Sequence, residues 1–227
     1  MKKKTAVFLI VILAIFAAAF LAGIKYTSRN GNGGVRQNIA SNENPVLNSE
    51  NTDTLSSISD NEKNIPLDRT GERVAKKPFG IFITPQNSPV QPERFRGYHT
   101  GADFEILPGE ESVDVPVHAV CSGKLKIKQY VGGYGGVAIQ DCRIQSGNVT
   151  VLYGHLSLSS IKYEAGDEML EMEEIGNLGD PAKGETGGER KHLHLGIHKG
   201  NSIDFRGYIS SPGGLADWID PCLYFCK

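Results

Sequence analysis

The chain has 227 residues and a formal net charge of -2. That length accommodates one ordinary domain with appended segments, whereas two full domains would be crowded. Because the charge is balanced, no long-range positive field attracts nucleic acid, and such a partner is not expected. With 27 glycines, 11 prolines and 39% apolar residues, the composition favours a turn-rich β fold over a helical bundle.

The N-terminus carries a basic head followed by a long apolar segment. Three lysines at 2–4 precede an uncharged run from Thr5 to Ile24, which as a helix would be about 30 Å long and would match a bilayer core. We therefore predict one transmembrane helix within residues 1–26, with the lysines in the cytoplasm and the remaining chain outside.

A cleaved signal peptide is the alternative reading of the same segment. Ala17-Ala18-Ala19 or Leu21-Ala22-Gly23 could serve a signal peptidase, but cleaved apolar regions usually span about 7 to 15 residues and this one is longer. The protein is thus predicted to be a single-pass membrane protein with an extracytoplasmic domain, or to be secreted if the segment is cleaved.

Residues 27–75 separate this segment from the folded domain. They are rich in Asn, Ser, Gly and Asp, and no aromatic residue occurs between Tyr26 and Phe79. Such a segment buries too little apolar surface to offset its ordering entropy, so we predict a disordered tether. The folded domain is predicted to occupy residues 76–227.

The domain is predicted to be all-β, with antiparallel sheets and hairpins. Short apolar or alternating runs are separated by Gly, Pro and Asn, as is typical of antiparallel strands. One short helix is predicted at 215–219, and neither a repeat nor a sustained helical period competes with the β reading. The predicted strands are 79–84, 102–106, 116–120, 124–130, 137–144, 149–156 and 192–198.

Four cysteines fit the oxidising side of a membrane, where three disulfide pairings are possible. We predict Cys121–Cys142 and Cys222–Cys226, because the segments around the first pair look like the arms of one hairpin. Its turn would lie in residues 132–136, which is not midway between the two cysteines, so a bulge or skewed loop is required. Zinc binding by the cysteines is the alternative, but paired C-x-x-C spacing is missing.

Four histidines and one aspartate are candidates for a metal centre, namely His99, Asp103, His155, His192 and His194. Two histidines and a carboxylate, with one position left for water, form a known type of catalytic zinc site. His192 and His194 lie two apart on a predicted strand, so both imidazoles can face one cleft. Either of them could reach a metal, and spacing alone does not decide between them.

The order of the motifs resembles that of the lysostaphin/LytM-type peptidases. H-x-x-x-D at 99–103 is followed by Y-x-H-L at 153–156 and H-x-H at 192–194, and the segments at 116–120 and 132–139 also resemble that family. Each motif is weakly specific by itself, but five in one order are strongly specific. The likeness covers roughly residues 76–221.

This resemblance implies a barrel- or sandwich-like duplicated hybrid motif fold and a zinc-dependent endopeptidase that hydrolyses peptide cross-links or stems of bacterial peptidoglycan. It implies that His99, Asp103 and His194 bind Zn²⁺ and that His155 and His192 are catalytic residues flanking the metal-bound water. Zinc would lower the pKa of that water and polarise the scissile carbonyl. One flanking histidine would take a proton, and the other would stabilise the oxyanion or protonate the leaving amine. The sequence leaves open which does which.

One loop departs from the family pattern. Residues 186–191 read Thr-Gly-Gly-Glu-Arg-Lys, where the family usually has small residues and a proline. Charged side chains are therefore expected at the rim of the cleft, where they could change the choice of substrate.

Other polar and aromatic residues near the motifs are not assigned a catalytic or metal-binding role. His118 and His198 are not assigned to the site. Glu105 shares a strand face with Asp103, but it is expected to be a solvated carboxylate. Tyr98 and Tyr153 either line the cleft or pack.

Two other functions compete with an active endopeptidase. One is a non-catalytic LytM-type wall-binding module or an activator of another cell-wall hydrolase; such relatives typically lack some ligands, whereas all five positions are kept here. The other is a secreted protease acting on proteins, which the predicted tether disfavours. The sequence does not determine the peptide bond that is cut, the regulator or the oligomeric state.

Overall fold

The computed structural model describes residues 65–74 and 76–226, which are mostly antiparallel strands joined by loops and short helices. The antiparallel β architecture predicted for the domain is confirmed in this part of the chain. The predicted anchor at 1–26 and the tether as far as residue 64 lie outside the described residues. Of the helices in the described ranges, none has the length and hydropathy needed to cross a membrane.

The elements of the described residues are short except at the centre of the domain. The strands are β1 (Phe82–Ile83), β2 (Gly97–His99), β3 (Gly101–Glu105), β4 (Pro116–His118), β5 (Gly123–Val131), β6 (Gly135–Ile144), β7 (Gly147–Leu156), β8 (Glu168–Met169), β9 (Glu174–Asn177), β10 (His192–Lys199), β11 (Tyr208–Ile209) and β12 (Trp218–Ile219). Four 3-10 helices span Thr70–Glu72, Leu158–Ser160, Pro181–Lys183 and Pro212–Asp217, and one α-helical turn, α1, spans Cys222–Phe225.

A seven-stranded antiparallel sheet forms the centre of the fold. Its order is β12-β10-β7-β6-β5-β8, and β3 also pairs with β10. Strands β1, β2 and β11 form a three-stranded sheet, and β4 pairs with β9. Strand β10 thus has β3 along one edge and β7 along the other, which places His194 opposite both Asp103 and Gly154.

Side-chain alternation divides the central sheet into a core face and a site face. Residues paired across neighbouring strands lie on the same face, and successive residues lie on opposite faces. Tyr153 and Leu195 form such a pair within the main hydrophobic core. Leu152 packs in a separate cluster, and His194, which pairs with Gly154, lies on this second face. The histidines therefore project away from the main core.

The predicted helix at 215–219 is only partly present. A 3-10 helix, Pro212–Asp217, begins earlier and ends before strand β12. Trp218 and Ile219 pair with β10 at His198 and Ile197. At this edge of the sheet, the backbone groups of Trp218 and Ile219 form hydrogen bonds with β10. A short isolated helix would leave such groups bonded to water, so strand pairing prevails over the local helical pattern.

The packed region extends N-terminally of residue 76. Ile65 and Leu67 are buried, and the Arg73 carbonyl accepts a hydrogen bond from the backbone N–H of Glu105. The Arg73 guanidinium, itself buried, donates to the Glu110 carboxylate at 2.7 Å. Residues 65–74, which composition assigned to the tether, therefore pack against the domain. The surface of the domain buries two apolar residues of this segment and pairs its buried arginine, which offsets the cost of burying that charge.

Both predicted disulfides are present, Cys121–Cys142 and Cys222–Cys226. Strands β5 and β6 form the predicted hairpin, which begins with Gly123 opposite Cys142 and ends with Val131 opposite Gly135. A register shift between Leu125 and Ile127 supplies the predicted bulge. The turn is off-centre because Cys142 pairs with Gly123, two residues after Cys121, and because β5 carries the extra residue.

The two disulfides are expected to differ in their contribution to stability. Replacing Cys121 and Cys142 by serine should lower the free energy of unfolding by about 3 kcal/mol, and replacing Cys222 and Cys226 by about 2 kcal/mol, because the first pair closes a longer loop. The sequence separations are 21 and 4 residues. Denaturant unfolding of both double variants measures the difference, and a larger loss at Cys222 and Cys226 would contradict this prediction.

Candidate active site

The side chains of His99, Asp103 and His194 converge on one point at the site face. His99 Nε2 lies 3.0 Å from His194 Nδ1, and Asp103 Oδ1 lies 3.2 Å from each of these nitrogens. Ligands about 2.0 to 2.1 Å from a tetrahedral zinc ion are themselves about 3.3 Å apart. The three atoms therefore fit one face of a zinc coordination tetrahedron, and the three residues form a metal-compatible group.

The second nitrogen of each of these histidines is held by a polar group of the protein. His99 Nδ1 lies 3.3 Å from the Pro78 carbonyl, which can only accept, so the proton belongs on Nδ1 and the Nε2 lone pair is free. His194 Nε2 lies 3.3 Å from the Tyr134 hydroxyl, whose oxygen can accept the Nε2 proton when Nδ1 binds a metal. Such outer contacts orient a histidine for metal binding.

Gly101 and Gly154 allow the close packing around His194. A Cβ at Gly101 would lie 2.3 Å from the Leu195 carbonyl oxygen and 2.8 Å from the His194 ring. A Cβ at Gly154 would lie 2.6 Å from the Tyr134 ring. Both separations are shorter than real side chains show, so glycine lets β3 and Tyr134 approach the imidazole.

His155 enters the site from a β-bulge. On β6, the successive residues Gly136 and Val137 pair with Leu156 and Gly154, so His155 has no partner there. Its backbone is left-handed, with φ of 65°, a conformation uncommon outside glycine and often found at functional sites. The bulge turns the imidazole toward His192, with ring centroids 4.2 Å apart.

His192 and Arg190 hold the other oxygen of the Asp103 carboxylate. His192 Nε2 lies 3.3 Å from Oδ2, and Arg190 Nη2 donates to the same oxygen at 3.1 Å. Arg190 also binds Glu105, with its Nε 2.9 Å from Oε2. Because Oδ2 is occupied in this way, Oδ1 is the oxygen of Asp103 that faces His99 and His194.

Burial and neighbouring charges set the protonation of these groups. Burial alone would raise the pKa of Asp103, but the charges of His192 and His99 outweigh it and hold that pKa well below its ordinary value. Burial lowers the pKa of His194 to about 4, and it lowers the pKa of His155 well below its ordinary value, with a further contribution from His192. At neutral pH Asp103 is thus a carboxylate, and His194 and His155 are neutral imidazoles, the forms in which such groups bind metal.

A cavity of about 290 Å³ opens in front of the metal-compatible group. His155, His192 and His194 line it together with Asp103, so four of the five predicted residues face one space. His99 lies behind them, buried, and contacts His194. The walls are completed by Lys77, Phe95, Arg96, Gly132, Gly133, Tyr134, Glu189, Phe205, Gly207 and Tyr208.

The structure separates the remaining candidates. Glu105 is buried and bound by Arg190, so its prediction as a solvated carboxylate was wrong. Tyr153 is buried and its hydroxyl donates to Gln140, which makes it a packing residue. Tyr98 packs against Phe82 and does not line the cavity.

His118 and His198, which were not assigned to the site, also do not line the cavity. His198 packs edge-on against Trp218.

Tyr134 and Arg190 were missed as residues that support the site. Tyr134 stood in the glycine-rich segment that predicted a hairpin, and a large polar residue among glycines was the available signal. Arg190 belongs to the loop that departs from the family pattern, and its side chain turns inward to Asp103 rather than to the rim. The neighbouring Lys191 donates to the Glu110 and Val113 carbonyls.

A buried ion pair supports the wall that contains Phe95 and Arg96. Lys77 Nζ lies 2.6 Å from Glu93 Oε2, and the two side chains are 2% and 1% exposed. Glu93 Oε1 accepts the backbone N–H groups of Arg94 and Phe95, both at 2.9 Å. The carboxylate therefore fixes the backbone that leads into Arg96.

Replacing Glu93 by glutamine is expected to lower the free energy of unfolding at pH 7 by about 3 kcal/mol, because Lys77 loses its buried partner. Burial acts to raise the pKa of Glu93, but Lys77 and the backbone donors lower it below the ordinary value. A carboxylate with a lowered folded-state pKa contributes stability above its unfolded pKa and loses it as pH falls through the folded pKa. The deficit of the variant should therefore shrink in acid. Urea unfolding between pH 3 and 7 measures it, and a deficit independent of pH would contradict this account.

Part of the chain that carries these motifs matches one known protein family. Residues 97–205 match the model described as peptidase family M23, a span that contains all five predicted site residues. No curated protein matches the chain in sequence.

Solved structures resemble the chain at low identity. CbpA from L. salivarius REN is 23% identical, with 71% of this chain and 92% of that chain covered and a TM-score of 0.45. LytU is 22% identical, with 66% and 84% covered and a TM-score of 0.43. A zinc-containing peptidase from Vibrio cholerae is 18% identical, with 62% and 41% covered and a TM-score of 0.37. These values are too low to transfer function.

Proposed function

We propose, from the match of residues 97–205 to peptidase family M23, that the protein is a zinc-dependent endopeptidase acting on bacterial peptidoglycan peptides. The observation that carries the proposal is the triangle of His99 Nε2, Asp103 Oδ1 and His194 Nδ1. Beside it lie His155 and His192, two further imidazoles facing the same cavity.

Zinc is the metal that this donor set fits best. Two imidazole nitrogens and one carboxylate oxygen at tetrahedral spacing leave a fourth position open, as catalytic zinc sites do. His99, Asp103 and His194 would hold the ion, while Tyr134 and Arg190 keep the ligands oriented. Zinc bound there supplies a Lewis acid that polarises the scissile carbonyl and makes water acidic.

The hydrogen bonds of the two flanking histidines suit them to different proton transfers. His155 Nδ1 donates to the Thr186 carbonyl at 2.9 Å, and its lowered pKa leaves Nε2 unprotonated. We assign His155 as the general base that takes a proton from water.

His192 is assigned the opposite role. Its Nδ1 donates to the Arg190 carbonyl at 2.8 Å, and its Nε2 lies 3.3 Å from Asp103 Oδ2. Because a carboxylate oxygen accepts, Nε2 can act as the donor in this second contact. His192 is thereby suited to stabilise the oxyanion and to protonate the leaving amine.

The site of action is proposed to be outside the cytoplasm, with the N-terminal segment as a membrane anchor. Two disulfides suit an oxidising compartment, and the apolar run from Thr5 to Ile24 is long enough to span a bilayer. Peptidoglycan lies within that compartment. Fractionation of cells that express the full chain, with protease accessibility of the domain, tests the proposal.

Release of amino termini from peptidoglycan tests the activity. The full-length protein, purified in detergent, is incubated with peptidoglycan with and without a chelator, and zinc is then added back. We expect new amino termini, their loss with the chelator and their return with zinc. Release that survives the chelator would overturn the zinc assignment. Sedimentation with peptidoglycan without any release would favour the non-catalytic wall-binding alternative.

A further inference from the structure

Among the residues that the structure describes, Arg96 is the one formally charged side chain of the cavity wall without an oppositely charged partner. Arg96 lines the cavity beside Phe95 and is exposed. Within residues 65–74 and 76–226, its guanidinium has no hydrogen-bond or ion-pair partner. Arg96 also directly precedes β2, the strand that ends at His99, so its backbone is anchored close to the metal-compatible group.

The other formally charged side chains that line the cavity are paired. Lys77 is bound to Glu93, Glu189 is 3.0 Å from Arg94, and Asp103 contacts Arg190. Arg190 also binds Glu105, which in turn pairs with Lys76, so the charges of these groups cancel within the protein. Arg96 is left as an uncompensated positive charge, and a divalent ion held by His99, Asp103 and His194 would add to it. The cavity therefore favours a ligand that brings negative charge.

The Arg96 guanidinium is well suited to a carboxylate. It offers a planar set of donors that can bind both carboxylate oxygens, and it stays charged at any physiological pH. Phe95 on the same wall stacks on Tyr208 with ring centroids 5.4 Å apart, which limits the movement of this segment. A cavity of about 290 Å³ is at the small end of ligand sites, so the bound carboxylate belongs close to the scissile bond.

We propose that Arg96 forms a substrate subsite for a free carboxylate near the scissile peptide bond. Stem peptides of peptidoglycan carry such groups, whereas neutral oligoglycine bridges do not, so the subsite selects acidic stem peptides as the substrate class. This inference rests on the proposed peptidase function. It assigns to Arg96 a role in binding and none in the chemical step.

The test compares peptidoglycan with free carboxylates and the same material after amidation of those carboxylates with ammonia. Release of amino termini by the full-length zinc-loaded protein is followed as an initial rate at low substrate. We expect wild type to cleave the free-carboxylate form about fivefold faster, the effect of one partly solvated ion pair. Arg96→Gln should cleave both forms at the same rate, which is slower than the wild-type rate on the free-carboxylate form. Arg96→Lys should retain part of the preference for the free-carboxylate form.

Arg143→Gln is the matched control. Arg143 is an exposed arginine on β6 whose guanidinium donates to the Ser146 carbonyl, and it does not line the cavity. This variant should keep the wild-type preference. Thermal unfolding of each variant checks folding, and the ratio of the two rates is independent of the fraction of folded protein.

Two results would overturn the carboxylate subsite while leaving the peptidase function intact. One is equal cleavage of both substrates by wild type, and the other is an unchanged preference in Arg96→Gln. Failure of wild type to cleave either substrate would instead overturn the peptidase function itself, and the subsite with it.

Discussion

Replacing His194 by alanine is expected to abolish both zinc binding and hydrolysis. His194 Nδ1 is one corner of the ligand triangle, 3.0 Å from His99 Nε2 and 3.2 Å from Asp103 Oδ1. Without it, only two protein ligands remain, and the rate should fall more than about 1,000-fold because the lost metal contributes several kcal/mol of transition-state stabilisation. Elemental analysis gives the zinc content, and amino-terminus release gives the rate.

Thermal unfolding gives a third readout for His194→Ala. A metal that binds only the folded state stabilises it, so wild type should melt at a higher temperature when zinc is added and the variant should not. His198→Ala is the matched control, because His198 lies on the same strand but packs against Trp218 outside the cavity. It should keep zinc and activity. One equivalent of tightly held zinc in His194→Ala would show that the ligand assignment is incorrect.

Replacing His155 by alanine is expected to remove most of the activity and leave zinc bound. His155 contacts the Thr186 carbonyl and the ring of His192, and it does not belong to the metal-compatible group of three. Loss of a general base typically costs about 100- to 10,000-fold in rate. Zinc content and the zinc-dependent melting shift should match those of wild type.

His155→Asn separates the loss of the base from a folding defect. The left-handed φ of 65° at this position strains most side chains, whereas asparagine adopts it more readily. The asparagine variant should therefore be the better folded of the two, with the same low activity. An empty metal site in a folded His155→Asn protein would mean that the division into ligands and proton-transfer residues is wrong.

The side chain of Arg190 shows that a local sequence pattern does not predict whether a charged side chain points toward solvent or toward the site. In sequence, Glu189, Arg190 and Lys191 form a charged tract in a loop, and charged tracts in loops are usually solvated. In the structure, Glu189 pairs with Arg94, Arg190 binds Asp103 and Glu105, and Lys191 binds backbone carbonyls. The orientation of each of these side chains depends on partners about 80 to 95 positions away in the chain. A local sequence pattern carries no information about such distant partners.

The sequence by itself predicted the strand-rich class, the hairpin of β5 and β6, both disulfides and the five candidate residues that lie together in the structure. Those features follow from local order: side-chain alternation, turn residues and the spacing of motifs along the chain. Composition was less informative at residues 65–74, because the polar residues around Ile65 and Leu67 led to the prediction of a disordered tether. Both apolar residues are buried in the structure.

Only the tertiary structure decided how those residues act together. Pairing of β3 with β10 brings Asp103 beside His194 across 91 positions of chain, and the bulge on β7 turns His155 toward His192. The contacts of the histidines, the burial of Glu105 and the absence of a partner for Arg96 among the described residues likewise depend on which groups meet in space. Register and burial are set by packing over the whole domain, because a one-residue slip would move every side chain of a strand to the opposite face.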